Sequence, residues 1–307
     1  MRLTGLHLLL TYQCTFECDH CFVFGSPTQT GVMTLAQIRE ILRQAREAGT
    51  IERIYFEGGE PFLYYAVMVK GVQEAVKMGF SAGVVSNAYW ATSQEDALEW
   101  LRPMKGLVAD LTISSDLYHY DERNGSEVRY HNSQHAQDAA SAAQQLGIPL
   151  GAICVAQPEE TNAILTVGQI PSGESAVMYR GRAACKLVSR AELQPWQRFD
   201  ECPHENLREP GRCHLDPLGN LHVCQGVSLG NVFESPLKEI CARYEAEAHP
   251  ICGPLLNGGP AALVTEYALP HEESYADACH LCYGARLSLR ERFPEILLPD
   301  QMYGCGE

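Results

Sequence analysis

The chain has 307 residues, 46% of them hydrophobic and 20% charged, enough for one large core or for a core with a smaller appendage. A formal net charge of −15, with no basic run to offset it, disfavours nucleic acid as a partner. No stretch approaches the roughly 18 apolar residues that span a bilayer, and the short apolar run at the N-terminus leads into cysteines rather than a cleavage site. A cytoplasmic protein with no membrane partner is expected.

In chain order, LHLLLT (6–11), RIYFEG (53–58), SAGVVS (81–86), VADLTIS (108–114), LGAICVA (150–156) and ESAVMY (174–179) are predicted strands. Helical periodicity fills the gaps at 34–49, 64–79, 93–101 and 133–147. In the first of these Leu35, Ile38, Leu42 and Ala45 form a stripe that Gly49 ends. Six alternations predict an α/β fold with parallel strands and outer helices, either a partial barrel or an open sheet, and a site at the carboxyl ends of the strands. Beyond about residue 195 the texture changes. Residues 202–226 read as a hairpin with His214 facing His222, followed by a helix at 236–248, a Gly/Pro-rich loop at 252–260 and a last helical segment at 277–297. Two domains are expected, 1–200 and 201–307, the second a smaller cysteine-rich α+β extension of hairpin and helix.

Thirteen cysteines in a cytosolic chain, an odd number unevenly clustered, point to metal or redox chemistry rather than disulfides. Cys14, Cys18 and Cys21 stand in TYQCTFECDHCF, directly after the first strand. Three thiolates on one curled loop suit zinc, closed by His20 or Asp19, or a [4Fe–4S] cluster with one iron left open for a ligand. At the end of the second strand, on the same face, lies Gly58-Gly59-Glu60-Pro61. Two glycines let backbone approach a ligand closely, and Glu60 can pair with an ammonium group.

CxxxCxxC after the first strand, with GGEP after the second, resembles the radical S-adenosylmethionine (SAM) superfamily over roughly residues 6–185. The resemblance implies a partial (β/α)6 barrel. It implies that SAM chelates the open iron through its amino and carboxylate groups, with Gly58, Gly59 and Glu60 of the GGEP motif (completed by Pro61) holding the amino group. A reductant such as flavodoxin or ferredoxin would then supply the electron that cleaves SAM to a 5′-deoxyadenosyl radical, which abstracts a substrate hydrogen. By the same resemblance Ser86, Asn87 and Ser114 contact the SAM methionine or ribose, the alternative being plain strand-end caps. Asp116, Tyr118 and His119 are candidates for substrate contact or proton removal, against a polar loop without chemistry. Arg180 and Arg182 either grip a carboxylate or phosphate at the mouth or make surface pairs.

In the C-terminal part, Gly219, Cys224 and the CxxC of Cys279 and Cys282 are similar to the SPASM and twitch extensions of that superfamily. The cysteine supply fits one auxiliary [4Fe–4S] cluster, with Cys202 rather than Cys213 as its first ligand and zinc on the same four residues as the alternative. Cys154 and Cys241 read as small buried hydrophobes. Cys185, Cys252 and Cys305 are unassigned, Cys305 being a ligand only if the chain end folds back.

The functional expectation is a radical SAM enzyme acting on a small polar metabolite or natural-product intermediate, with the auxiliary cluster taking an electron in a net oxidation. A ribosomally made peptide is the alternative substrate, disfavoured because the chain begins five residues before its first strand. A non-catalytic zinc or iron–sulfur protein is the alternative of another class; GGEP speaks against it, since a closed metal site does not need it.

Overall fold

The structure, a computed structural model, describes residues 1–119, 133–161 and 174–304. Its centre is β1 (Leu3–Thr11), whose alternate residues serve two environments. Leu6, Leu8 and Leu10 face outward into a core shared with Ile54 and Phe56 of β2 (Arg53–Gly58) and Ile38, Ile41 and Leu42 of α1 (Leu35–Ala48). His7 points to the opposite, inner face. The first helix begins at a capping box, in which Thr34 accepts from the Gln37 amide and the Gln37 side chain accepts from the Thr34 amide, and it ends at Gly49.

The remaining units of the barrel are α2 (Tyr65–Lys77), β3 (Ser81–Ser86), α3 (Gln94–Leu101), β4 (Val108–Ser114), α4 (Gln134–Leu146) and β5 (Leu150–Ile153). One eight-stranded sheet runs β5-β4-β3-β2-β1-β6-β7-β8, where β6 is Gly211–Leu215, β7 Asn220–Cys224 and β8 Val227–Asn231. Its first six strands are parallel, and the last two pairings, β6 with β7 and β7 with β8, are antiparallel.

Six parallel strands match the expected (β/α)6 partial barrel, but the sixth is not the expected segment. Residues 174–179 make a single parallel bridge, Val155 to Ser175, and then leave the sheet. Their amides go elsewhere, Val177 to the Thr161 hydroxyl (3.4 Å) and Tyr179 to the Asp277 carboxylate (3.1 Å), while both side chains enter a small core with Leu187. The sixth strand is instead the first arm of the hairpin, paired with β1 from Leu3 to Leu8. The hairpin itself lies as expected, with His214 opposite His222. The Gly/Pro-rich stretch expected as a loop is largely helical, α6 (Cys252–Glu266), broken at Gly258 and Gly259. Gly259 has φ +59°, and a Cβ there would sit 2.3 Å from the Glu201 amide nitrogen, so this glycine lets the chain leading to Cys202 pass. Between β8 and α6 lies α5 (Leu237–Arg243), and α7 (Ala278–Leu289) carries the CxxC. Among the described residues no helix is long and apolar enough to cross a membrane.

The hairpin is pinned by Asp216. Its carboxylate accepts from the Leu218 and Asn220 amides, the Asn220 side chain, His222 Nε2 (3.1 Å) and, from the barrel, the Tyr12 hydroxyl (3.2 Å). Burial pushes its carboxyl up, but His222 and Asn220 bring it below the usual range. A depressed carboxyl stabilises the fold above its unfolded value, about 4, and that stability is lost as pH falls through the folded value. Asp216→Ala should therefore lower stability at pH 7 by roughly 3–5 kcal/mol in urea unfolding, with the gap to wild type narrowing below about pH 4.

Candidate active site and cysteine clusters

The loop after β1 carries Cys14, Cys18 and Cys21 and is tied down at both ends. The Cys14 amide donates to the Ser26 carbonyl (3.0 Å) and the Cys21 amide to the Cys18 carbonyl (3.0 Å). Several N–H groups aim at sulfur: Phe16 N at Cys14 Sγ (3.4 Å), Gly25 N at Cys21 Sγ (3.2 Å) and Asn87 Nδ2 at Cys14 Sγ (3.6 Å). From behind, the buried Arg182 guanidinium donates to the Cys18 carbonyl (2.9 Å) and the Gly25 carbonyl (3.0 Å), and the Arg182 amide to the Cys21 carbonyl (2.9 Å). Burial pushes the Cys14 thiol up to about 12 and Cys18 further, the Arg182 charge pulling Cys18 partly back. Ionising Cys14 and Cys18 thus needs a cation that shares their sulfurs.

The end of β2 lies against this loop. The Gly59 amide donates to the Thr11 carbonyl (2.7 Å) and the Glu60 amide to the Gln13 carbonyl (2.8 Å). A Cβ on Gly58 would meet the Thr11 carbonyl oxygen at 2.5 Å, and one on Gly59 the Gln13 oxygen at 2.0 Å. The paired glycines are thus required by strand-to-loop docking before any ligand is considered. Pro61 is buried and opens the short turn Pro61–Tyr64. Glu60 is fully buried, and its carboxylate accepts from Phe62 N (3.0 Å), Ser86 Oγ (2.9 Å) and Asn87 N (2.8 Å), tying β2 to β3. Burial raises its carboxyl to about 7 against the pull of those donors. Ser86 also accepts from Trp90 Nε1 (2.9 Å), and Asn87 reaches Thr15 (3.0 Å) besides Cys14. Ser114 is half-buried at the end of β4, outside this network.

Asp116, Tyr118 and His119 gather against the same loop. His119 Nδ1 stands 2.7 Å from Asp116 Oδ1, and the Tyr118 and Val155 amides donate to the same carboxylate. His20, inside the cysteine loop, reaches Asp116 Oδ2 at 3.4 Å and packs edge-on against Tyr118. Burial would raise the Asp116 carboxyl, but His119 and His20 hold it below the usual range. The Tyr118 hydroxyl donates to the Ala156 carbonyl (3.1 Å).

A second cysteine site opens in the extension. Cys202, Cys224, Cys279 and Cys282, together with the unexpected Cys252, line one cavity. Cys213 is not among them; it is fully buried in the barrel core near Cys241. Two buried arginines face the five thiols. Arg180 Nη1 lies 3.5 Å from Cys224 Sγ and 3.4 Å from Glu205, with its guanidinium over the Phe22 ring, and Arg286 donates to the Gln225 carbonyl. Neither Arg180 nor Arg182 stands free at a mouth for a carboxylate. Cys305 lies outside the described residues.

Residues 8–165 match the Radical SAM superfamily model. The chain belongs to the radical SAM superfamily. It is 38% identical over 122 residues to the "Putative peptide biosynthesis protein YydG" of Bacillus subtilis (strain 168), a match covering 39% of this chain and 38% of that protein. Its fold is similar to native anSMEcpe with bound AdoMet and Cp18Cys peptide (TM-score 0.51, 14% identity, 96% of this chain and 97% of that one). It is also similar to Streptococcus suis SuiB bound to S-adenosylmethionine (TM-score 0.51, 13% identity, 78% of this chain and 65% of that one).

The first cysteine site fits the [4Fe–4S] cluster of that superfamily: three sulfurs on one loop, those of Cys14 and Cys21 near backbone or side-chain donors and that of Cys18 near the Arg182 charge. Sequence reasoning missed the grip of Arg182, the approach of Arg180 to Cys224 and the presence of Cys252 in the second cavity. The arginines had been weighed as mouth residues, and nothing in the spacing of Cys252 distinguishes it from a core cysteine. Arg182→Ala strips the Cys18 and Gly25 carbonyls of their side-chain donors, so iron recovered after anaerobic reconstitution should fall by about four atoms per chain.

Proposed function

We propose that this radical SAM enzyme modifies a peptide, in preference to the small metabolite expected from the sequence. The YydG similarity supports the peptide; the three-thiol loop wedged by Gly58 and Gly59 is the observation that carries the radical chemistry. When bound, the cluster supplies the electron that cleaves SAM to a 5′-deoxyadenosyl radical. Cys14, Cys18 and Cys21 would hold it, with the Phe16 amide and Asn87 donating to the Cys14 sulfur and the Gly25 amide to that of Cys21. Because Glu60 already accepts three hydrogen bonds in a fully buried position, the Gly58–Gly59 backbone would be what holds the SAM amino group, with Glu60 and Ser86 fixing the strand end behind it. Ser114 remains a candidate for the ribose. Asp116, paired with His119, is the proton-handling group beside the cluster loop.

Cys202, Cys224, Cys279 and Cys282 are proposed to hold an auxiliary [4Fe–4S] cluster, as in a twitch extension. A tetrahedral zinc draws its sulfurs to about 3.8 Å from one another. Among the described residues, groups of three ligand atoms within 4.8 Å of one another contain at most one cysteine each, a spacing that favours a cluster over one zinc ion. The buried Arg180 and Arg286 offset the charge of a thiolate-ligated group. Residues 1–200 are proposed to supply the first five strands of the barrel and 201–307 the extension, which lends the sixth strand, Gly211–Leu215; the described cysteines, all unbridged, suit a cytoplasmic setting.

Anaerobic reconstitution should give about eight iron atoms per chain, and 5′-deoxyadenosine on reduction with SAM. A mixed peptide pool should raise that yield more than a pool of polar metabolites; the reverse ranking would return the substrate to the small-molecule class. Cys224→Ala should lose about four irons while Cys213→Ala loses none. Arg180→Gln should shift the midpoint potential of the second cluster downward, by roughly 30 mV or more in an EPR-monitored redox titration.

A further inference from the structure

The inner face of the barrel carries a side-chain cluster that the radical chemistry leaves unused. His7 of β1, Glu57 of β2 and His214 of β6 come from three adjacent strands, with β1 in the middle. His7 Nδ1 stands 3.2 Å from Glu57 Oε2, and His214 Nε2 stands 3.0 Å from Glu57 Oε1. The two imidazoles are also close to each other, so that the three ligand atoms all lie within 4.8 Å. A relay of hydrogen bonds would place the histidines on opposite sides of the carboxylate; here the atoms close into a triangle that shares one centre.

Each ring is held. His7 stacks on Tyr55 (centroids 4.7 Å apart, planes 13° apart), and Tyr55 is fixed through its hydroxyl to Asp110 (2.9 Å), lying across Gly83. His214 packs against Phe22, the residue after Cys21. The side chains are 14–18% exposed, so the cluster is reachable from solvent inside the barrel without being open surface. Exposed Arg53 and Arg212 flank Gly5 at the amino-terminal end of the same face, and the Arg212 charge helps keep His214 neutral.

We propose that His7, Glu57 and His214 form a binding site for a single divalent first-row cation such as Zn²⁺, Fe²⁺ or Mn²⁺. Two imidazoles and one carboxylate are a common ligand set for such ions and leave coordination positions open for a further ligand. Burial tends to raise the Glu57 carboxyl, but the two histidines keep it ionised, and burial keeps His214 neutral, so both offer the lone pairs a cation needs. Tyr55 and Phe22 then orient the ligands from outside. The site does not depend on a peptide substrate, and its occupancy is read without turnover.

The test uses the anaerobically reconstituted full chain, with its cysteine sites filled, titrated with Mn²⁺ while the EPR signal of the free ion is followed. One equivalent should bind saturably. His214→Ala and His7→Ala should each weaken binding by roughly 100-fold or more, with iron content and circular dichroism unchanged. Should the alanine variants lose iron, His214→Gln and Glu57→Gln serve in their place with the same expected loss. Absence of saturable Mn²⁺ binding to the wild type, or equal binding by the variants, would overturn the proposal.

Discussion

The arrangement depends on the grip of one buried guanidinium on the loop that follows the first strand. Arg182 donates to the carbonyls of Cys18 and Gly25, and its backbone amide to that of Cys21. A loop of three cysteines has little apolar surface of its own to bury, so its shape must come from hydrogen bonds to carbonyls that water would otherwise take. The cation also sits where three thiolates would place negative charge, and an isolated buried charge of either sign would be costly.

The same short segment joins the two cysteine sites. Arg182 faces the first, and Arg180, two residues earlier, faces Cys224 of the second, with the Phe22 ring against its guanidinium. The extension is likewise no loose appendage. Its first hairpin strand completes the parallel sheet beside β1, and Asp216 ties the hairpin turn to Tyr12 at the foot of the cysteine loop. The two cysteine sites therefore adjoin one shared sheet.

Electrostatics divide the barrel's interior. At the carboxyl end of the strands, Glu60 is enclosed by donors and raised to about 7, a carboxyl used for structure. Three residues earlier, Glu57 projects inward and is kept ionised by two histidines. Two glutamates on neighbouring turns of chain thus have opposite tendencies, because one meets neutral donors under full burial and the other meets imidazoles.

Much of this was legible in the sequence, because local chemistry and periodicity were enough. The stripe of α1, the strands up to β5, the hairpin and the pairing of CxxxCxxC with GGEP all follow from spacing that acts over a few residues. The preference for Cys202 over Cys213 comes from the resemblance to SPASM and twitch extensions, and in the structure Cys202 lines the second cavity while Cys213 is buried in the barrel core. What the tertiary structure alone decided are relations between distant segments. Residues 174–179 looked like a strand, but their amides found Thr161 and Asp277, while the sixth strand came from beyond residue 210. Arg180, Arg182, Cys252 and the His7–Glu57–His214 triangle could not be placed from one sequence, because each takes its meaning from partners tens to hundreds of residues away, which only the packed sheet brings within hydrogen-bonding reach.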